Sequence, residues 1–364
     1  MKICMILTNN FDPDVRVYEE AAYLTRNGAQ VEILRWDRSQ DYQDPESDTV
    51  NGVKFTRFGC LSAAGTGMKQ LPAFFRFIAK IRRYLKTHTY DYFHLHDMDG
   101  GIVGAFALPK GAQYVYDMHE FHEIGNAVKR KLFRSIVLNR IRHSIASLYE
   151  NDKYLSGPYG RYREKLFSLR NYPDKEIIQR KEKTPSDVLR VGYHGAVRNQ
   201  IPQFSALFTA VKDMPDVRVD VNGGGIDYEQ LLQMAKTLAN VHVNGRYNGI
   251  KESTKLYQNT DVLFCGYDKH VPHHQNFDAV KFFEAILTAT PMIMQCDIAM
   301  GDKVVGRGYG LAVETDNAEE IQTAIVRFKT DKELYRRCQQ NEINDADQYC
   351  WQNEVSVLKK IYHL

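Results

Sequence analysis

Residues 276–286 read Asn276-Phe277-Asp278-Ala279-Val280-Lys281-Phe282-Phe283-Glu284-Ala285-Ile286, and Ala289-Thr290-Pro291 follows shortly after. The apolar spacing predicts a helix that begins after Asn276 and holds Glu284 one to two turns inside. Because the amides of a helix N-terminus face anions, a diphosphate there would have Asn276 on one side, Glu284 on the other and Lys281 nearby. The structural alternative is an ion pair of Glu284 with Lys281 or Lys303.

Two glycine-bearing turns precede this segment. The first ends a predicted strand before a helix near Pro202, and its arginine suits a phosphate oxygen pair. The second also follows a predicted strand but lacks the dinucleotide-binding spacing, so NAD binding is poorly supported. Each turn alone also fits an ordinary strand–helix connection. The two sequences are Val191-Gly192-Tyr193-His194-Gly195-Ala196-Val197-Arg198 and Asn222-Gly223-Gly224-Gly225.

Short β-like runs alternate with helical patterns along most of the chain, which predicts parallel sheets built from βαβ units. The predicted helices of the first half are 14–26, 69–86 and 127–148. Eleven strands are predicted, at 2–7, 30–36, 53–58, 91–96, 113–117, 188–193, 217–222, 241–244, 261–265, 291–295 and 310–313. Two sheets accommodate eleven strands more naturally than one does.

The domain boundary is predicted near Pro173, where helix is disfavoured before the proline and a polar stretch runs on to Asp187. We therefore expect an N-terminal domain over residues 1–168 and a C-terminal domain over residues 169–348. Residues 349–364 have apolar side chains at helical spacing. We expect them to form a closing helix that packs back on the first domain.

The 364 residues include six cysteines without any close pair, so neither a disulfide framework nor a cysteine metal site is expected. The formal net charge is only +3, which does not by itself indicate nucleic acid. The basic residues are unevenly spread, however. Residues 68–90 and residues 126–149 each contain six Lys or Arg and no acidic residue. This pattern indicates an anionic partner of the N-terminal half.

The segment around Glu284 resembles the retaining GT-B glycosyltransferases of family 4. That family carries two glutamates separated by seven residues before a Gly/Ala-x-Pro strand, and in one branch asparagine replaces the first. Asn276, Lys281, Glu284 and Pro291 match this branch, and Arg198 matches the family arginine after the first strand of the C-terminal domain. The usual lysine a few residues later is absent, because the chain continues Asn199-Gln200-Ile201-Pro202-Gln203.

The N-terminal half also resembles this family, through Asp14-x-Arg16-Val17 and the helix behind it. The family's Gly-Gly loop after the first strand is missing. Two predicted strands end in His94-Leu95-His96-Asp97 and in Tyr116-Asp117-Met118-His119-Glu120. The resemblance implies that His119 lies beside the transferred sugar, with His96, Asp97 and Glu120 on the acceptor side.

The resemblance implies two Rossmann-like, doubly wound parallel-sheet domains and a retaining, metal-independent transfer of sugar to a glycan or lipid-linked glycan, in polysaccharide or glycoconjugate synthesis. No cofactor is expected beyond the UDP- or GDP-sugar donor. His119, Arg198 and Lys281 would act in catalysis. The alternatives are a catalytically idle sugar-nucleotide-binding subunit, a GT-B epimerase and a phosphorylase. The residues expected at the donor are Gly195, Arg198, Gly224, Arg246, Tyr247, Asn276, Phe277, Asp278, Ala279, Lys281 and Glu284.

Two patterns imitate metal sites. Asp97-Met98-Asp99 spells the Asp-x-Asp of a different glycosyltransferase fold, and His270, His273 and His274 lack a supporting acidic or cysteine ligand. We expect no metal at either. The chain has no run of about 18 apolar residues and no signal-peptide pattern, so a cytoplasmic protein is expected. The helices over 69–86 and 127–148 could hold it on an anionic membrane surface, whereas no nucleic-acid-binding module is recognisable.

Overall fold

A computed structural model describes the chain except for residues 10–13, 63–66, 120–125, 151, 182, 184–185 and 273. The chain divides into two compact units. Unit 1 comprises Met1–Asn171 and Glu354–Leu364, and unit 2 comprises Tyr172–Asn353.

Unit 1 alternates strands and helices as the hydrophobic pattern predicts. Its described residues form one eight-stranded sheet in the order β3-β4-β2-β1-β5-β6-β7-β8, in which β3 pairs antiparallel and the other pairs are parallel. The elements are β1 Lys2–Leu7, α1 Val15–Arg26, β2 Gln30–Asp37, β3 Glu46–Val50, β4 Val53–Gly59, α2 Leu71–Tyr84, β5 Tyr92–His96, α3 Asp97–Ala107, β6 Tyr114–Met118, α4 Ala127–His143, β7 Ala146–Tyr149 and β8 Leu166–Ser168.

Unit 2 is a parallel sheet with helices between its strands. Its described residues form six strands in the order β11-β10-β9-β12-β13-β14. The elements are β9 Leu189–His194, α5 Ile201–Val211, β10 Val217–Asn222, α6 Tyr228–Ala235, β11 Val241–Gly245, α7 Gly249–Gln258, β12 Val262–Cys265, α8 Val280–Thr288, β13 Met292–Gln295, α9 Ala299–Arg307, β14 Gly310–Val313, α10 Ala318–Thr330, α11 Lys332–Asp345 and the α12 segment Trp351–Glu354, whose last residue belongs to unit 1.

Three sequence predictions of secondary structure need correction. The predicted helix over 127–148 ends at His143, and residues 146–149 form the buried strand β7. The closing helix over 349–364 is two pieces, Trp351–Glu354 and α13 Ser356–Tyr362. The prediction of eleven strands missed three strands, β3, β7 and β8. β3 is wholly exposed and carries no apolar alternation, and β7 was included in the predicted helix over 127–148.

The core of unit 1 fills the space between the sheet and helices α2, α3 and α4. Trp36 on β2 stacks on Phe77 of α2 with ring centroids 5.5 Å apart, and both side chains are fully buried. The burial of each such aromatic side chain contributes on the order of 2 kcal/mol to stability. α13 packs on α1, and its Tyr362 reaches the buried His94 of β5. The last helix of the chain is therefore part of the first unit's core.

Candidate functional site

The glycine turns of unit 2 bring the ends of β9 and β10 together. Gly195 follows β9 with φ +136°, and its amide donates to the carbonyl of Asn222 at 2.9 Å. A Cβ on Gly223, which has φ +158°, would lie 1.7 Å from the Gly195 oxygen. A Cβ on Gly195 would lie 3.0 Å from the Lys281 ammonium. Glycine at both positions therefore allows two backbones and a lysine to meet at the carboxyl edge of the sheet.

Lys281 lies in the first turn of α8, where its ammonium is held by aromatic rings. Nζ lies 3.7 Å from the ring centroid of Tyr193 and 5.8 Å from that of Tyr267. Contacts between a cation and a ring face contribute about 0.5–2 kcal/mol, depending on exposure. The helix begins after Ala279 without a side-chain cap. The charge of Lys281 and the N-terminus of α8 thus meet beside the Gly195 turn, which is an arrangement suited to an anion.

Glu284 lies one turn further along α8 and is bonded to a tyrosine. The hydroxyl of Tyr257 on α7 donates to its Oε2 at 2.8 Å. Burial raises the pKa of the Glu284 carboxyl, while the Tyr257 bond and the charge of Lys281 oppose that rise. The suggested partner Lys303 is bound to Asp278 instead, at 2.6 Å. Among the described residues Glu284 has no ion pair, so the lysine alternative is wrong.

Below these groups lies His194, the last residue of β9. Its Nδ1 accepts from the Asn222 amide at 3.2 Å, and its Nε2 donates to the Thr260 hydroxyl at 3.0 Å. The ring packs against Tyr257 with centroids 4.8 Å apart. Burial, with the nearby charge of Lys281, lowers the pKa of His194 to about 3. This histidine is therefore neutral and links the ends of β9 and β10 to Thr260, in the connection that precedes β12.

The other residues expected at the donor lie in four places. Tyr247 lies beside His194 with centroids 6.4 Å apart, and a Cβ on Gly224 would meet the Arg246 side chain at 2.6 Å. Phe277 packs edge-on against Tyr267, and the Ala279 amide contacts the Met300 sulfur. Asn276 ends a short 3-10 turn, and its side chain lies outside the described residues. Arg198 lies exposed on the turn beyond Gly195.

In unit 1 the second group of expected residues forms around a buried carboxylate, Asp117 at the end of β6. Arg16 of α1 grips this carboxylate with two bonds, of 2.7 Å and 3.0 Å. The Nε2 atom of His119 lies 2.8 Å from Asp117 Oδ2, and His96 Nδ1 lies 3.2 Å from the same nitrogen. Asp117 and His96 are fully buried, whereas His119 is 18% exposed. His119 is thus the member of this group that reaches the surface.

The group extends inward through Glu20, four residues after Arg16 on α1. Glu20 Oε1 lies 3.2 Å from Arg16 Nε, and Oε2 lies 3.4 Å from His94 Nε2. The other ring nitrogen of His94 is bonded to the Tyr362 hydroxyl at 3.0 Å. A continuous polar path therefore runs from the end of α13 to His119. We call the residues of this path the buried network, consisting of Arg16, Glu20, His94, His96, Asp117, His119 and Tyr362.

Charge in the buried network is set by the balance of desolvation and counter-charge. The neighbouring Arg16 and His119 hold the pKa of Asp117 well below its usual range despite burial. Asp117 in turn raises the pKa of His119 to about 9. Burial raises the pKa of Glu20 and lowers that of His94. The network at neutral pH therefore carries charge on Arg16, Asp117 and His119, whereas burial favours the neutral forms of Glu20 and His94.

The sequence prediction placed His96, Asp97 and Glu120 on the acceptor side. His96 is fully buried beneath His119, so it acts on the surface only through that residue. Asp97 opens α3 with a left-handed φ of +60°, a strained position for a residue with a side chain. Glu120 lies outside the described residues.

Within the part of the chain that the structure describes, two groups of side chains have the composition of a metal site. Glu20, His94, His96 and Asp117 can each offer a ligand atom within 4.8 Å of the others. Arg16 already lies 3.2 Å from the first carboxylate and 3.0 Å from the last, so a divalent ion would face a guanidinium at contact distance. In the second group, Cys296, Asp297 and Glu314, Lys269 binds both carboxylates. A cationic side chain therefore already contacts the carboxylates of each group, Arg16 in the first and Lys269 in the second.

Neither pattern that imitates a metal site in the sequence belongs to these groups. Asp97 and Asp99 both lie in the first turn of α3. His274 Nδ1 is bonded to the carbonyl of Asp268 at 2.9 Å. His273 lies outside the described residues.

Comparison with known proteins identifies this architecture. Residues 13–148 match the model of the glycosyl transferase 4-like domain. No curated protein matches the sequence. Among solved structures, sucrose-phosphate synthase from Thermosynechococcus elongatus superposes with a TM-score of 0.75 at 15% identity, covering 100% of this chain and 98% of that one. The chain has the GT-B fold of glycosyltransferases.

Other structures with this GT-B fold are equally complete matches. Anabaena HepE in complex with UDP and glucose gives a TM-score of 0.70 at 15% identity over 100% of this chain and 99% of that one. The catalytic domain of starch synthase IV from Arabidopsis thaliana, bound to ADP and acarbose, gives 0.66 at 13% identity over 100% and 99%. These two complexes hold different nucleotides, UDP and ADP.

Proposed function

We propose that the chain is a retaining glycosyltransferase that takes its sugar from a nucleotide diphosphate donor bound on unit 2. The observation that carries this proposal is the meeting of Gly195, Lys281, Glu284 and the uncapped N-terminus of α8 at one edge of the sheet. In open parallel sheets, ligands bind at the carboxyl ends of the strands. The glycosyl transferase 4-like match over residues 13–148 supports the same function for the chain.

The departing diphosphate is the group that this edge is suited to hold. Negative charge grows on the diphosphate as the sugar leaves, and preorganised positive groups lower the barrier by stabilising that charge. Lys281, the amides of α8 and the exposed Arg198 would supply this stabilisation without a metal ion. Because no pair of carboxylates identifies a nucleophile for double displacement, we favour front-face attack with the departing phosphate as base.

The nucleoside would be held by Glu284 and by the residues around Gly224. The Glu284 carboxylate has one oxygen bonded to Tyr257, which leaves lone pairs for the hydroxyls of a ribose. Tyr247 and Arg246 would border the base, and Asn276 the sugar or a phosphate. His119 of unit 1 would contact the sugar near the reacting carbon. The acceptor that we propose is a glycan or a lipid-linked glycan in polysaccharide synthesis.

The test is donor binding by the variant Glu284→Gln. Replacing the charge weakens each bond to a ribose hydroxyl by about 1.5–3 kcal/mol, so we expect affinity for UDP or GDP to fall at least tenfold. The glutamine oxygen can still accept from Tyr257, so the melting temperature should change little. Binding is measured by calorimetry, with the exposed Glu333→Gln as the matched control. An unchanged affinity with a lower melting temperature would assign Glu284 a structural role instead.

An idle sugar-nucleotide-binding subunit is the second candidate, because the chain continues Asn199-Gln200-Ile201-Pro202-Gln203 after Arg198, without the lysine that the family resemblance leads us to expect there. Hydrolysis of the bound donor by the purified chain distinguishes the two. An idle subunit would bind the nucleotide with the Glu284 dependence given above and would release no sugar.

Helices α2 and α4 support a further part of the proposal, binding to an anionic membrane surface. No helix of the described residues is long and apolar enough to cross a bilayer. On α2, Leu71 and Phe75 are 43% and 56% exposed, on the same side as Arg82 and Lys86. The first turns of α4 expose Val128 and Leu132 beside three basic residues. Apolar and cationic side chains in this combination suit the headgroup region of a membrane.

A test of membrane binding should change basic residues of α2 that have no partner role within unit 1. Lys80 donates to the carbonyls of Tyr42 and Gly59, and Arg76 pairs with Asp41 at 3.4 Å, so neither is the best probe of a free face. Arg82, Arg83 and Lys86 are exposed. Each contributes about 1 kcal/mol at an anionic surface, so changing all three to glutamine should weaken vesicle binding roughly a hundredfold.

The measurement is co-sedimentation with vesicles of phosphatidylcholine, with or without phosphatidylglycerol, at low and high salt. A second triple variant, Lys129, Arg130 and Lys131 to Gln, tests whether α4 shares the surface. The control changes Lys236, Lys251 and Lys255 of unit 2 in the same way. The membrane proposal is contradicted if the wild-type protein does not bind acidic vesicles at low salt, or if neither the α2 variant nor the α4 variant alters vesicle binding. The acceptor should then be sought among soluble glycans.

A further inference from the structure

His119, the member of the buried network that reaches the surface, contacts Asp117, a residue that the sequence did not mark as functional. His119 Nε2 lies 2.8 Å from Asp117 Oδ2, within hydrogen-bond distance of a carboxylate that is wholly buried. Because an ionised carboxylate only accepts, Nε2 must carry the proton of that bond. The other ring nitrogen, Nδ1, is therefore the one left for a substrate.

The orientation of the Asp117 carboxylate is fixed by Arg16 as well as by His119. Arg16 donates to both oxygens, and its remaining bond goes to the Leu169 carbonyl at 2.9 Å. Bidentate pairs between arginine and carboxylate fix orientation as well as charge. The direction of the Asp117 carboxylate, and with it the His119 ring, is thus set by α1 and by the segment after β8.

We propose that Asp117 is the positioning residue of His119: held by Arg16, it fixes Nε2 inward and keeps the imidazole doubly protonated, so that Nδ1–H is a cationic donor to a hydroxyl of the transferred sugar. This inference rests on the proposed function, since it names the form in which His119 meets the substrate. An anionic or hydroxyl-bearing ligand fits such a donor, and a cationic one does not.

The charges that face His119 come from several elements, and their sum supports this form. Asp117 on β6 and Asp14 before α1 favour the protonated ring, whereas Arg16 and burial oppose it. His96 on β5 is neutral beneath it, since its own pKa is lowered by burial. Glu20, deeper in the buried network, has a pKa raised by burial, which favours its uncharged form. The carboxylate of Asp117, which contacts His119 directly, therefore outweighs burial and Arg16 and favours the protonated ring.

The experiment measures the pKa of His119 directly, by NMR of the full chain labelled at histidine, with His119→Gln used to assign the signal. In wild type we expect a pKa near 9, and in Asp117→Asn a value at or below 6.5. Turnover should fall at least a hundredfold in Asp117→Asn, while UDP affinity stays within twofold. Its pH profile should lose activity above about pH 6.5, where wild type loses activity only above about pH 9.

The matched control is Glu32→Gln, another buried carboxylate of unit 1, which accepts from Thr56, Tyr84 and Tyr90. This variant loses a buried carboxylate on β2, outside the buried network, and should leave the pKa of His119 unchanged. A wild-type His119 pKa at or below 6.5 overturns the inference, and this arm needs only the well-folded protein. An Asp117→Asn protein with wild-type pKa and turnover overturns it as well. Absence of UDP binding or donor hydrolysis in wild type would instead contradict the proposed function.

Discussion

Each unit places a histidine at the carboxyl end of a central strand, and the two histidines are treated in opposite ways. His119, after β6, meets the carboxylate of Asp117, and its pKa rises to about 9. His194, at the end of β9, meets an amide and a hydroxyl, and its pKa falls to about 3. Burial disfavours the charged ring at both positions. The comparison shows that a single counter-charge in contact decides which form survives.

The same contrast distinguishes the charges at the carboxyl ends of the central strands in the two units. In unit 1 the charges of Arg16, Asp117 and His119 are packed against one another, and only His119 reaches the surface. In unit 2 the polar groups under the edge are neutral, and the charges stand above them on Lys281 and Glu284 of α8. Unit 1 therefore presents one hydrogen-bond donor of fixed orientation, His119. Unit 2 presents separate charged groups, Lys281 and Glu284, that can contact different parts of one ligand.

Replacing each histidine by alanine gives the largest expected difference between the two edges. His119→Ala removes the one network side chain at the surface, so turnover should fall by two orders of magnitude or more with UDP affinity nearly intact. His194→Ala removes a buried side chain that joins β9 to Asn222 and Thr260, so its main effect should be a lower melting temperature. Steady-state kinetics, calorimetry and thermal unfolding measure the three quantities. Wild-type turnover in His119→Ala would remove this residue from the site.

Much of unit 2 could be predicted because its signals are local. The spacing between Lys281 and Glu284 is three residues, which places both on one face of a helix, and a glycine after a buried strand indicates a tight turn. The partner of Glu284 could not be predicted, since Tyr257 lies on a different helix, 27 residues earlier in the chain. The sequence suggested a lysine because charge complementarity is visible in a sequence and a buried hydroxyl is not.

The buried network of unit 1 was missed for a different reason. Arg16 and Asp117 are 101 residues apart, and they meet because parallel pairing places β6 two strands from β1. Local signals did exist: Arg16 and Glu20 share a helix face otherwise apolar, and His94 and His96 share a strand face. Polar pairs on two faces that both point to the core indicate a shared polar cluster. The pair Arg16 and Glu20, taken with the pair His94 and His96, therefore predicts the buried network.

The smallest expected effect is a pH dependence that separates the two histidines by sign. The pKa of His194 is lowered in the fold, so below pH 6.5 the unfolded chain takes up a proton that the folded chain refuses. Stability from the neutral ring is thus lost as pH falls, by about 1.4 kcal/mol per pH unit and about 2 kcal/mol at pH 5. For His119 the raised pKa reverses the sign, and its contribution is present below pH 6.5 and lost as pH rises toward 9.

The variant His194→Gln isolates the first of these contributions, because a glutamine can accept from Asn222 and donate to Thr260 without titrating. Urea unfolding followed by far-UV circular dichroism gives the free energy of unfolding of both proteins at pH 7.5 and at pH 5. Carboxyl groups whose pKa values are raised by burial, such as Glu342, titrate equally in both proteins and cancel in the difference. Relative to the variant, wild type should lose about 2 kcal/mol between the two pH values. A difference that does not change with pH would mean that the folded protein accepts a proton at His194, and the contrast between the two strand edges would then rest on His119 alone.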